Sequence, residues 1–85
     1  MIRVLPSVRL TDFNDLSHFI VDSYHIVKVG SLAENRPSDI DNGGMLLFVG
    51  NNQYGTQYFF GVNLPCIYMR HYGSGSFGEW IKAGG

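Results

Sequence analysis

From residue 23 onward, short runs of β-branched and aromatic residues alternate with clusters of glycine, asparagine and serine. This punctuation constrains the fold more than any other feature, because such runs pack on a pleated surface and such clusters turn the chain. Strands are predicted over residues 23–29, 44–49, 56–62 and 66–72, with a short closing strand over 79–82. The apolar run 44–49 is the expected centre of the sheet, and Gly61 the expected site of a bulge. Short turns between successive strands make an antiparallel meander the economical topology. Thr11 or Asp12 can cap a helical turn, so one short helix is predicted over residues 12–19. Residues 1–10 read as a linker or an N-terminal strand, and residues 11–85 as a single domain. The expected class is β-rich with minor α content: a small antiparallel sheet of four to five strands and one short N-terminal helix.

Charge and cysteine content narrow the function. Six Lys and Arg against seven Asp and Glu leave a formal charge of −1, and no two basic residues are adjacent. Nucleic-acid binding draws on clustered positive charge, so no nucleic-acid partner is expected. The single cysteine, Cys66, cannot form an intramolecular disulfide, and it lacks the Cys/His spacing of a zinc site. The strongly apolar run at residues 45–49 is far shorter than the ~20 residues that span a bilayer. Neither a signal peptide nor membrane insertion is expected.

Residues 65–82 carry the densest display of rings, with Arg70 and the only tryptophan, Trp80. Within them residues 73–78 match G-x-G-x-x-G, which in a dinucleotide-binding unit must open a helix. Seven residues follow Gly78, too few for that helix and a further strand, so a hairpin turn is the expected structure. Ser74 and Ser76 stand outside G-x-S-x-G, and His18, His25 and His71 fall in separate segments without a catalytic pattern. Asp39, Asp41 and Asn42 are too few for the six to eight oxygens of a committed calcium site. No catalytic residue, metal or cofactor is therefore expected. The long polar loop over residues 30–43 is of a length often associated with function.

Tyr54, Tyr58, Tyr68, Tyr72, Phe77 and Trp80 crowd the second half, with neutral amides and hydroxyls near them. One reading has them packing across strands. The other has some of them stacking on the apolar faces of a sugar while amides and hydroxyls pair with its hydroxyl groups.

The order of short motifs adds a resemblance. Asp12-x-Asn14-Asp15-Leu16 is followed by Tyr24, Asn35-x-Pro37, Gly44-x-Leu46-x-x-Val49, Gln57, Ile67-Tyr68-x-Arg70 and a Gly/Ser turn with Trp80. Across residues 11–82 this order resembles the knob-like modules of contractile-tail bacteriophage fibres and R-type pyocin tail fibres, the pyocin-knob group. Ser23 stands where that group has glycine, and Phe77 where it has the first of two closing tryptophans.

The resemblance implies a homotrimeric tail fibre in a virion, made in the cytoplasm of a bacterial host. The module would be non-enzymatic and contribute to host attachment by recognising surface polysaccharide or lipopolysaccharide. The alternative is a structural spacer or trimerisation bead with no ligand of its own. Side-chain chemistry makes Asn35, Arg36, Tyr68, Arg70 and Trp80 the candidate ligand-contacting residues, with a core position as the other reading of Trp80.

Overall fold

A computed structural model describes residues 2–19, 22–62 and 66–84. The chain forms one sheet of seven strands: β1 (Ile2–Asp12), β2 (Ser23–Glu34), β3 (Gly44–Gly50), β4 (Tyr54–Gly61), β5 (Cys66–Gly73), β6 (Ser76–Phe77) and β7 (Ile81–Gly84). The strands lie in sequence order across the sheet, with β6 and β7 both paired to β5. From β2 onward every pairing is antiparallel, as a meander requires. The apolar run 44–50 is an interior strand, as its lack of polar residues predicted.

The β-rich expectation holds, and three finer expectations do not. The sheet has seven strands in place of four or five, because the N-terminal segment forms a strand and the closing segment forms two. Both closing pieces run along β5, and their register differs by one residue, with Tyr72 opposite Phe77 but Met69 opposite Ile81. They are one strand broken by a bulge at residues 78–80, where the Gly78 N–H still donates to the His71 carbonyl at 2.8 Å. Gly61 makes no bulge, since β3 and β4 pair in register from Gly44–Gly61 to Gly50–Gly55. The predicted connection at residues 63–65 lies outside the described residues.

The third correction concerns residues 12–19, which contain no helix. β1 pairs with β2 in parallel, with Ile2 opposite Tyr24 and Asp12 opposite Glu34. The link from Asp12 to Ser23 must therefore travel back along the whole of β2, a span of roughly 30 Å at the rise of an extended strand. A helix over residues 12–19 would rise about 11 Å, and four extended steps to Ser23 would add about 14 Å, short of that span. The geometry selects an extended crossover with two isolated turns, Asp15 N–H to Asp12 C=O (3.0 Å) and Phe19 N–H to Leu16 C=O (3.1 Å). The capping chemistry is present but serves Asx turns. Asp12 Oδ1 accepts from the Asn14 N–H at 2.9 Å, and Asp15 Oδ1 from the Ser17 N–H at 3.0 Å.

This crossover and the loop at residues 35–43 cover one face of the sheet. Aligned rows on that face alternate with rows on the other, as period-two geometry demands. One inner row runs His25, Phe48, Gln57, Arg70, and the next runs Val27, Leu46, Phe59, Tyr68. Phe13 and Phe19 from the crossover, with Pro37 and Ile40 from the loop, close over these rows and are buried. Phe13 meets Phe59 edge-on at 5.1 Å, and Phe19 meets Phe48 at 4.0 Å.

Candidate functional site

The predicted ligand-contacting residues converge on one corner of the covered face, and most of their polar atoms are spent on the fold. Arg70, in the middle of β5, is buried. Its Nε donates to Gln57 Oε1 at 2.6 Å, and a terminal nitrogen donates to Asn14 Oδ1 at 2.7 Å. Gln57 in turn donates from Nε2 to the Phe13 carbonyl at 2.7 Å. Two polar residues on neighbouring strands thus grip the crossover at residues 13 and 14, the centre of the Asp12–Asp15 turn. The guanidinium plane lies 4.5 Å from the ring centres of both Phe77 and Trp80. Burial lowers the Arg70 pKa to about 10, opposed by the nearby Asp12 carboxylate, and the group stays charged at neutral pH.

The other members of the set surround this sandwich. Trp80 is half-buried, meets Phe13 edge-on at 5.3 Å, and donates from Nε1 to the Asn35 carbonyl at 3.0 Å. The bulge at residues 78–80 is what lets Trp80 reach that position. Asn35 sits at φ 60° and donates from its side chain to Asp12 Oδ1 at 2.8 Å. Arg36 staples its own loop, donating to the carbonyls of Ile40 (2.6 Å) and Ala33 (3.1 Å) and pairing with Asp41 at 3.4 Å. Tyr68 is buried, and its hydroxyl donates to Asp39 at 2.8 Å, which holds the Asp39 carboxyl below its usual range. Asn35, Arg36 and Trp80 keep exposed surface, whereas Tyr68 and Arg70 could meet a ligand only through their neighbours. The predicted 30–43 loop is shorter than expected, since β2 continues through Glu34.

On the other side of Phe77 lies a feature that sequence reasoning did not single out as a site. A groove of about 620 Å³ runs between the start of β4 and the β5–β6 hairpin. Its apolar surfaces come from Tyr54, Tyr72, Phe77 and Leu16, and its polar ones from Asn52, Gln53, Ser74 and Ser76. Tyr72 and Phe77 stack at 5.2 Å with their planes 27° apart. Arg70 backs the far face of Phe77, so the guanidinium set described above fixes a ring of the groove. Tyr72 is held from its other end, its hydroxyl donating to the Asn51 carbonyl.

Local sequence explains the shape. Ser74 (φ 52°) and Gly75 (φ 80°) are the two central residues of a tight hairpin turn, the left-handed pair that such turns require. This is the structure of the G-x-G-x-x-G stretch. Gly55 is required where β4 passes Tyr72, because a Cβ there would stand 2.5 Å from the Val49 carbonyl oxygen and 3.0 Å from the Tyr72 hydroxyl. Asn51 Oδ1 accepts from the N–H groups of Gln53 (2.8 Å) and Tyr54 (3.0 Å), setting the turn that presents Asn52, Gln53 and Tyr54. The legible signal in the sequence was Tyr54 beside a run of amides, two strands away from a Ser/Gly turn.

Among the described residues no three His, Cys, Asp or Glu side chains gather as metal ligands. Asp39 and Asp41, neighbours in sequence, turn to different partners, Tyr68 and Lys82 for the first and Arg36 for the second. The chain matches no family model, and neither the curated proteins nor the solved structures contain a match to it.

Proposed function

We propose that this chain is a non-enzymatic binding module that recognises a glycan of a bacterial surface, as part of a phage or phage-derived tail fibre. The groove carries the glycan reading. Tyr54, 58% exposed, offers a flat apolar surface above a floor closed by the stacked Tyr72 and Phe77, and uncharged amides and hydroxyls surround it. A neutral sugar needs that combination: C–H faces against rings, and hydroxyl groups against donors and acceptors without net charge. Two of the rings are fixed in advance, Phe77 by Arg70 and Tyr72 by Asn51, so little ordering cost falls on binding. The fibre context is supported by the order of motifs described above.

The test is binding of surface polysaccharide or lipopolysaccharide, on a glycan array and on whole cells, by the parent and by Tyr54→Ala and Ser74→Lys. Tyr54 is well exposed and Ser74 occupies the turn, so both variants should fold as the parent does. The expected result is a bound glycan whose affinity falls at least about tenfold in each variant. A folded parent that binds no glycan would leave the spacer reading. Binding that persists in both variants would move the contact to the exposed surfaces of Asn35, Arg36 and Trp80.

A further inference from the structure

Among the described residues nothing covers the face of the sheet opposite the crossover, and its central row is apolar from edge to edge. Its central row, aligned by strand register, is Val4, Ile26, Leu47, Tyr58, Met69 and Ile81, one residue from each of six strands. On one side of this row lie Met45, Phe60 and Ile67, which keep 40%, 41% and 37% of their surface exposed. On the other lie Ile2, Tyr24 and Val49, with a hydrogen bond between Thr56 and His71 at 2.7 Å. These side chains present on the order of 800 Å² of accessible apolar surface, more than a monomer ordinarily leaves in water and comparable with what one partner of a stable complex buries.

We infer that this face docks against the same face of a second copy of the chain. None of the described residues covers it. The crossover and the 35–43 loop are committed to the opposite face, and the residues outside the description come in stretches of at most three. A sheet with one layer of cover lacks the second packed layer that such a surface requires, and a facing sheet about 10 Å away supplies it.

Charge favours a copy of the same chain as the occupant. The three rows contain no carboxylate, and their cations, Arg9 and Lys28, sit together at one corner, opposite each other across β1 and β2. A two-fold axis in the plane of the interface, along or across the strands, sets that corner against neutral side chains of the mate. Tyr24 is the neighbour when the axis runs across the strands. An acidic partner would find the lysine and arginine charge at that corner alone, and the rest of the face offers it apolar surface and the Thr56–His71 pair. A single facing copy covers the face completely.

Analytical ultracentrifugation of the parent, Tyr58→Lys and Ile81→Lys tests this, with circular dichroism to confirm folding. Ile81 is 58% exposed at the margin, so its substitution spares the fold even if lysine at Tyr58 does not. The expected result is a parent of twice the chain mass at micromolar concentration, with dimer dissociation constants raised at least about tenfold by Ile81→Lys and further by Tyr58→Lys. A parent that stays monomeric, that forms trimers, or whose dimer is unaffected by both substitutions would overturn the inference. So would a monomeric parent captured by anionic phospholipid vesicles, which would assign the face to a lipid surface. Glycan binding is read separately, so the groove and the dimer can each fail while the other stands; a two-fold dimer would count against the threefold fibre context, not against the groove.

Discussion

Arg70 shows how one residue can look like a ligand contact and act as a strut. In an otherwise apolar, aromatic strand a lone arginine reads as a cation offered to a partner. In the fold it shares a face with Cys66, Tyr68 and Tyr72, all buried, and the alternation of β5 makes that unavoidable. Its charge is tolerated because two hydrogen bonds and two ring faces replace water. Arg70→Ala should cost about 3 kcal/mol in urea unfolding, because it strands Gln57 Oε1 and Asn14 Oδ1 together with the space between two rings. Arg70→Lys should recover less than half of that, since an ammonium cannot reproduce the planar stack or the fork of donors. Equal stabilities for the lysine variant and the parent would show that charge alone is what the site needs.

At the scale of elements, the strands were legible and the crossover was not. Periodicity placed β2 to β5 within a few residues, because alternation of buried and exposed positions is a local property of each run. The Asp12-x-Asn14-Asp15 chemistry was also legible, as turn-forming residues whose side chains cap nearby N–H groups. Whether those caps start a helix depends on how far the chain must travel, and that distance is set by the parallel pairing of β1 with β2. The same pairing bends β2 near its end, where Leu32 is forced to φ 56° with its side chain 63% exposed. A leucine in that region pays about 1–2 kcal/mol in steric strain, and its side chain has little packing to lose. Leu32→Gly should therefore raise stability by about 0.5–1 kcal/mol net of the added chain entropy, read as a higher urea midpoint with unchanged slope. A lower midpoint would mean that Leu32 packs against something in solution.

The whole molecule is a single sheet with a thin cover, and its pH response should reflect what that cover buries. His25 lies beneath Phe19 and beside Phe48, and among the described residues neither of its ring nitrogens has a hydrogen-bond partner. Burial, aided by the positive charge of Arg3, holds its pKa below the ordinary value of 6.5. The folded state therefore keeps His25 neutral where the unfolded chain would take up a proton. Its contribution is intact above about pH 6.5 and is lost as pH falls, at up to about 1.4 kcal/mol per pH unit until the folded pKa is reached. Asp15 and Asp39, whose pKa values are lowered chiefly by hydrogen bonds from Ser17 and Tyr68, weaken the fold only at more acidic pH. Unfolding measured between pH 7 and pH 5 should show this slope in the parent and lose it in His25→Leu. A flat parent profile would contradict a neutral buried imidazole.

Sequence by itself determined the β-rich class, most strand positions and the hairpin at Ser74-Gly75, because each follows from side-chain shape, alternation or backbone preference within a few residues. Tertiary structure decided the rest. It made the N-terminal segment a parallel edge strand, broke residues 13–19 into isolated turns in place of a helix, drew Arg70 inside and left the opposite face bare. It also assembled the groove from the crossover, the β3–β4 turn and the β5–β6 hairpin. Each of these depends on contacts between residues tens of positions apart, and alternation within a strand cannot say which of its two faces will be covered.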